Sequence, residues 1–161
     1  MRAPDKEALR KLEQTLHVEI PLTRAMGVSV AHFDASGLTL RAPLELNINH
    51  KSTAFGGSLS TLATLAGWGL LKLLLREQRP VTVVIQESCV QYLRPVSEDL
   101  QATCATPPTG ESEKFLRSLA RKGIARIELE VLILAGGETA VRFHGRFVAL
   151  DKHRHPHAQP V

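Results

Sequence analysis

The chain has 161 residues, is 43% hydrophobic and 22% charged, and carries a formal net charge of +4. This is the composition of one ordinary globular domain, able to bury roughly 70% of its unfolded surface, so neither metal nor disulfide staples are required and none is expected. Two cysteines, Cys89 and Cys104, form no disulfide framework. The mild positive charge, without basic runs interleaved with aromatics, argues against nucleic acid as a partner.

The opening residues, MRAPDKEALRKLEQ, are charged and hold no apolar core, so no secretory leader is expected and a cytoplasmic location is. Residues 5–17 read as an amphipathic helix with Leu9, Leu12 and Leu16 on one face and Asp5 near its N-cap. Strands follow at 28–33 and 38–41, joined by a turn through Asp34-Ala35-Ser36-Gly37 where Gly37 is free to take positive φ. Residues 46–53 are polar and irregular, and lead into a long helix from about 55 to 78, closed by Pro80. No charge occurs from Ser52 to Leu71, nearly enough to span a bilayer. Gly56-Gly57-Ser58, Ser60, Thr61 and Thr64 interrupt its apolar character, so a buried core helix carrying Trp68 is expected rather than a membrane span.

Residues 82–93 are a β-branched strand ended by Arg94-Pro95-Val96. Leu100, Ala102 and Cys104 alternate with Gln101 and Thr103 in another strand. Residues 111–122 have a helical period, with Phe115, Leu116 and Leu119 on one side and Gly123 as the stop. In the last two strands Ile127, Leu129, Val131 and Ile133 alternate with charged residues, as do Val141, Phe143 and Phe147, around a Gly136-Gly137 turn. The antiparallel runs on either side of one apolar helix point to an α+β domain, a sheet wrapped around a buried helix. Residues 1–151 are expected as a single domain and 152–161 as a loose tail. His153, His155 and His157 alternate in that tail, where a solvated segment is favoured over a metal site.

The segment that carries chemistry is Asn49-His50-Lys51-Ser52-Thr53-Ala54-Phe55-Gly56-Gly57-Ser58. A helix start leaves backbone N–H groups unsatisfied and favours negative charge, and two glycines let a ligand approach them. Amide donors so arranged suit a carbonyl oxygen gaining charge. The plainer alternative is that the glycines only permit a tight entry into the helix.

This stretch resembles the signature of hotdog-fold acyl-CoA thioesterases of the phenylacetyl-CoA type, in which an Asn is followed six residues later by His-Gly-Gly at the helix entry. Asn49 matches the Asn, Phe55 takes the His position, and Gly56 and Gly57 match the glycines. Tyr92-Leu93-Arg94-Pro95-Val96 and the final strand pair extend the resemblance over roughly residues 20 to 150. More closely, residues 49–59 and Ala66-Gly67-Trp68 resemble the thioesterase domain fused behind some bacterial GNAT-type acetyltransferases, here expected to stand alone. The resemblance implies a hotdog fold, a homodimer or dimer of dimers, no cofactor, and an acyl-CoA or acyl carrier protein thioester as substrate in fatty acid metabolism. It implies that the Gly57 N–H polarises the thioester carbonyl, that Asn49 orients water or the thioester, and that His50, Phe55, Gly56 and Ser58 line the substrate site.

The departures from that pattern bear on mechanism. The carboxylate such enzymes carry about two turns into the helix is replaced by Thr64, and no Asp or Glu lies between Glu45 and Glu77. Thr64 can hold a water but is a poor base, and a missing general base forfeits about a hundredfold to ten-thousandfold in rate. Substitutes are His50, which can titrate near neutral pH, and Glu87, whose plainer reading is a solvent-facing or ion-paired strand residue. Ser58, Ser60 and Thr61 offer hydroxyls that more simply cap or pack. Arg94, Arg117, Arg121 and Lys122 are candidates for coenzyme A phosphates or plain surface charges. The functional expectation is a thioesterase. The alternatives are a non-catalytic acyl-thioester binding module and, less favoured because Phe55 removes the obvious His, a dehydratase or hydratase.

Overall fold

The computed structural model describes residues 6–78 and 80–155. Helix α1 (Lys6–Glu19) buries Leu12 and Leu16. Asp5, expected at its N-cap, lies outside the described residues. A four-residue helix α2 (Leu22–Ala25) follows, not foreseen from periodicity. Its buried Thr23 is satisfied by donating its hydroxyl to the carbonyls of Leu16 and Ile20, both at 2.9 Å. Strands β1 (Ser29–Asp34) and β2 (Gly37–Ala42) form the expected hairpin. Gly37 has φ 149°, and a Cβ there would stand 2.1 Å from the Cys104 carbonyl oxygen, so only glycine fits the turn.

A single turn at Leu44–Leu46 and an irregular loop lead to α3 (Gly56–Leu74). Ten of its residues are buried, Leu59, Leu62, Ala63, Leu65 and Ala66 among them, which places it in the core rather than in a membrane. Among the described residues no helix is long and apolar enough to cross a bilayer. Then come β3 (Val81–Tyr92), β4 (Leu100–Ala105), α4 (Thr109–Lys122), β5 (Ile124–Ala135) and β6 (Glu138–Asp151). Helix α4 stops at Gly123 with φ 72°, as its position predicted.

The strands form one six-stranded antiparallel sheet in the order β1-β2-β4-β5-β6-β3. One face packs on α3. Ile127, Leu129, Val131 and Ile133 of β5, with Val141, Phe143 and Phe147 of β6, supply the buried side chains of that face. The helix approaches closely because Gly67 lies against the Phe147 ring. This helix wrapped in an antiparallel sheet is the hotdog arrangement. Trp68 departs from the expected core role, because it is only partly buried and sits at the rim. The first residues past β6 are tied down: Lys152 N–H donates to Pro80 O at 3.1 Å, and the Arg154 guanidinium to Arg121 O at 2.9 Å. The rest of the expected tail, residues 156–161 with His157, lies outside the described residues.

Candidate active site

The entry to α3 is held by groups that are not part of it. Asn47 is buried, its amide donating to Met26 O at 2.9 Å and Pro43 O at 2.8 Å. Its backbone carbonyl accepts the Phe55 N–H at 2.7 Å, while Ala54 N–H donates to Val96 O at 2.8 Å. Between them, Asn49 organises its own loop. Its Oδ1 accepts the backbone N–H groups of Lys51 (2.7 Å) and Thr53 (3.3 Å), and its Nδ2 donates to Thr53 Oγ1 (2.9 Å) and Ala54 O (3.2 Å). Both ends of the side chain are engaged, so its present geometry orients the helix entry rather than a substrate atom. The turn needs Ser52 at φ 59°.

Phe55 is the residue before the helix, extended at φ −68° and ψ 131°, and among the described residues no side chain caps the helix start. The first amides of α3, at Gly56, Gly57 and Ser58, therefore lack a capping acceptor. The Tyr92 hydroxyl, at the end of β3, donates to Gly56 O at 3.0 Å and clamps the first turn. The Phe55 ring, 57% exposed, folds over Gly57, where a Cβ would come within 2.3 Å of its Cε1. At Gly56 a Cβ would meet only the Tyr92 ring at 3.5 Å, an ordinary contact. Gly57 is thus the tighter of the two positions, and Phe55 sets an apolar wall beside it.

From Gly57 onward most of the half-buried residues of α3 fall at helical spacing, namely Gly57, Ser60, Thr61, Thr64, Trp68 and Lys72, with Ser58 and Leu74 off that line. Thr64 Oγ1 donates to Ser60 O at 2.9 Å, and Ser60 Oγ donates to Gly57 O at 3.0 Å. Each hydroxyl spends its proton on the helix and keeps lone pairs that can accept from a water or ligand. The stripe runs beside β3, since Tyr92 meets the start of α3 and Trp68 Nε1 donates to Val83 O at 3.0 Å further along. No side chain of α3 is a carboxylate.

The other candidates fall elsewhere. A bulge between Ile85 and Glu87 puts Glu87 in register with Arg146, on the sheet face opposite Phe147 and α3. There it pairs with the Arg146 guanidinium at 2.8 Å, which also bridges to Glu128. Glu87 is the ion-paired strand residue. His50 is exposed at the loop tip beside Asn49. Arg94 pairs with Glu138. Arg117, Arg121 and Lys122 are exposed on α4, whose Phe115 and Leu116 line a cleft shared with Leu74 and Arg76 at the far end of α3. Among the described residues no group of three or more His, Cys, Asp or Glu could hold a metal ion.

Two supporting residues escaped the sequence reading. Tyr92 stood in a segment singled out only for its resemblance. Asp99 accepts from Arg41 (2.6 Å) and from the Leu44 N–H (3.1 Å), bracing the turn before the entry loop. Those bonds, the backbone donor foremost, hold its carboxyl below the usual range. Only a short acidic residue after Pro95 hinted at it.

An antiparallel sheet around a central helix, with an uncapped helix start opening on a polar stripe, defines the hotdog-fold class. The chain belongs to the family described as "Putative thioesterase (yiiD_Cterm)", which it matches over residues 9–151. It is similar, at 34% identity and TM-score 0.88, to a protein of unknown function from Chlorobaculum tepidum TLS, over 92% of this chain and 97% of that one. At 30% identity and TM-score 0.82 it is similar to a putative thioesterase from Shewanella oneidensis, over 91% of this chain and 99% of that one. A thioesterase from Haemophilus influenzae shares the fold at 16% identity and TM-score 0.66, over 94% of this chain and 96% of that one.

Proposed function

We propose that this protein hydrolyses an acyl thioester carried on coenzyme A or acyl carrier protein, at the start of α3. The observation that carries the reading is the uncapped, glycine-lined helix start beside the hydroxyl stripe, in a chain of a thioesterase family. The thioester carbonyl oxygen accepts from the Gly57 N–H, with Gly56, Ser58 and the Phe55 ring forming the walls. Water attacks the carbonyl carbon, the oxygen gains charge against the helix start, and collapse expels the thiolate, which takes up the proton lost by water. Such a donor is worth roughly 3–4 kcal/mol of transition-state stabilisation. Thr64 Oγ1 accepts a hydrogen bond from the attacking water. Asn49 acts by holding the entry loop, and His50 beside it is the side chain best placed in sequence to take the proton from water and pass it to the leaving thiolate.

The functional unit is a homodimer. Strand β3 is an edge strand of 12 residues, paired with a neighbouring strand on one side only among the described strands. Such an edge is a template for pairing. Leu46, Ile48, Phe55, Tyr92 and Leu93 are all about half exposed and stand on the segments that meet at the start of α3. A second copy along β3 would cover this apolar rim and close the site, and a further pairing would give a dimer of dimers. Light scattering on an eluting column checks this: a monomer at micromolar concentration would remove the shared-site reading.

The test of activity is hydrolysis of an acyl-CoA panel from acetyl to palmitoyl, followed by loss of thioester absorbance so that Cys89 does not interfere. Turnover that falls in Gly57→Ala while the protein stays folded supports the assignment. The absence of a carboxylate from α3 favours one second reading, a binding module. It predicts micromolar acyl-CoA binding with no turnover on any chain.

A further inference from the structure

The half-open stripe of α3 that begins at Gly57 ends at a fixed obstacle. Trp68 is the only tryptophan of the chain. Its indole N–H donates to Val83 O at 3.0 Å, and the Lys72 ammonium lies 5.4 Å from the ring centroid. A hydrogen bond at one edge and a cation at one face leave the ring little freedom. Immediately beyond lies a groove of about 600 Å³ between α1, the end of α3 and the start of β3. Its wall includes Leu12, Leu73, Leu75 and Val81, and it shares Lys72 and Val83 with the surroundings of Trp68. The ring therefore stands as a partition between the polar stripe and a roomy groove whose buried floor is apolar and whose exposed lining, Glu7, Glu19 and Glu77 included, is charged.

Resting on the thioesterase reading, we propose that Trp68 is the stop that limits acyl-chain length. A chain whose carbonyl sits at Gly57 and which follows α3 meets the ring after eleven residues of helix. That is about 16 Å at 1.5 Å per residue, or roughly a dozen bonds of extended chain at about 1.2 Å per bond. Chains shorter than this fit before the partition. Longer ones gain nothing, because their ends cannot pass into the groove behind. Shortening the side chain joins the two spaces, and each further methylene that settles on the apolar floor should tighten binding by up to about fourfold.

The experiment uses the full chain and non-hydrolysable thioether analogues of acyl-CoA from four to eighteen carbons, so that binding is read independently of turnover. In the wild type, affinity should rise with length and level off near a dozen carbons. In Trp68→Ala the plateau should move to longer chains, and in Trp68→Phe it should stay near the wild-type position. A second readout needs no variant. Analogues with a terminal bromine should quench the Trp68 fluorescence only when the chain is long enough to reach it. Short analogues that bind while neither the plateau nor the quenching depends on length would overturn the stop and leave the thioester site standing. Failure of every analogue to bind would overturn both.

Discussion

Gly67→Ala tests whether the close seat of α3 on the sheet is required. The added Cβ would lie 2.6 Å from Phe147 Cζ and 2.7 Å from Cε2. Carbon atoms prefer about 3.5–4.0 Å, so ring or helix must give by about 1 Å. Phe147 has little room to swing away, because it is fully buried and the same Cε2 edge also lies against Gly145, where a Cβ would be 2.9 Å from it. Overpacking of this kind costs about 1–3 kcal/mol, against about 1 kcal/mol recovered by replacing a helical glycine with alanine. The expected net change is a loss of up to about 2 kcal/mol, read as a lower urea midpoint at unchanged slope by far-ultraviolet circular dichroism. Gly57→Ala is the internal control. There the obstructing atoms belong to the exposed Phe55 ring, which can rotate away, so stability should hold while turnover falls. Phe147→Leu should relieve part of the Gly67→Ala loss, a coupling a double-mutant cycle would measure. A Gly67→Ala protein more stable than the wild type by about 1 kcal/mol, the full helical gain with no packing cost, would refute the packing argument.

Asn49→Ala removes four hydrogen bonds of the entry loop and should cost about 1–3 kcal/mol, with turnover falling through a disordered helix entry; an unchanged melting curve would show that the loop holds itself. Tyr92→Phe deletes one exposed bond to Gly56 O and should change stability by less than about 1 kcal/mol while lowering kcat, and equal kcat would remove the clamp from the mechanism. Thr64→Val should slow turnover with little change in acyl-CoA affinity; an equal loss of both would make Thr64 a packing residue. Burial pushes the Cys104 thiol up to about 12, whereas Cys89 is exposed, so a disulfide thiol reagent at pH 8 should titrate one fast thiol in the native protein and two in urea. Because the folded state keeps the Cys104 proton while the unfolded state releases it near 9.0, this thiol makes stability fall as pH rises from about 9 toward about 12.

The elements that could be read in advance are those fixed by local chemistry. Gly123 and the Gly136–Gly137 pair take positive φ where a helix stops and a hairpin turns, and alternation in β5 and β6 gave their faces directly. Strand order could not be read, because β3 follows α3 in sequence yet pairs with the last strand. The face of Glu87 was hidden by one extra residue at the β3 bulge, which reverses which side chains face α3. At the site, the glycines were visible from their spacing. The inward turn of Asn49 was not, since an Asn that organises its own loop and one that meets a ligand have the same spacing.

The sheet order also governs when the protein can be completed. Strand β3 carries both Tyr92 and the Val83 carbonyl, yet its only partner among the described strands is β6, the last to be made. The nascent chain must hold an apolar α3 and an unpaired β3 until Glu138–Asp151 emerges, which favours slow folding and exposes an aggregation-prone edge in the interval. Loss of the final strand would leave the helix start intact in sequence but without the wall that shapes it.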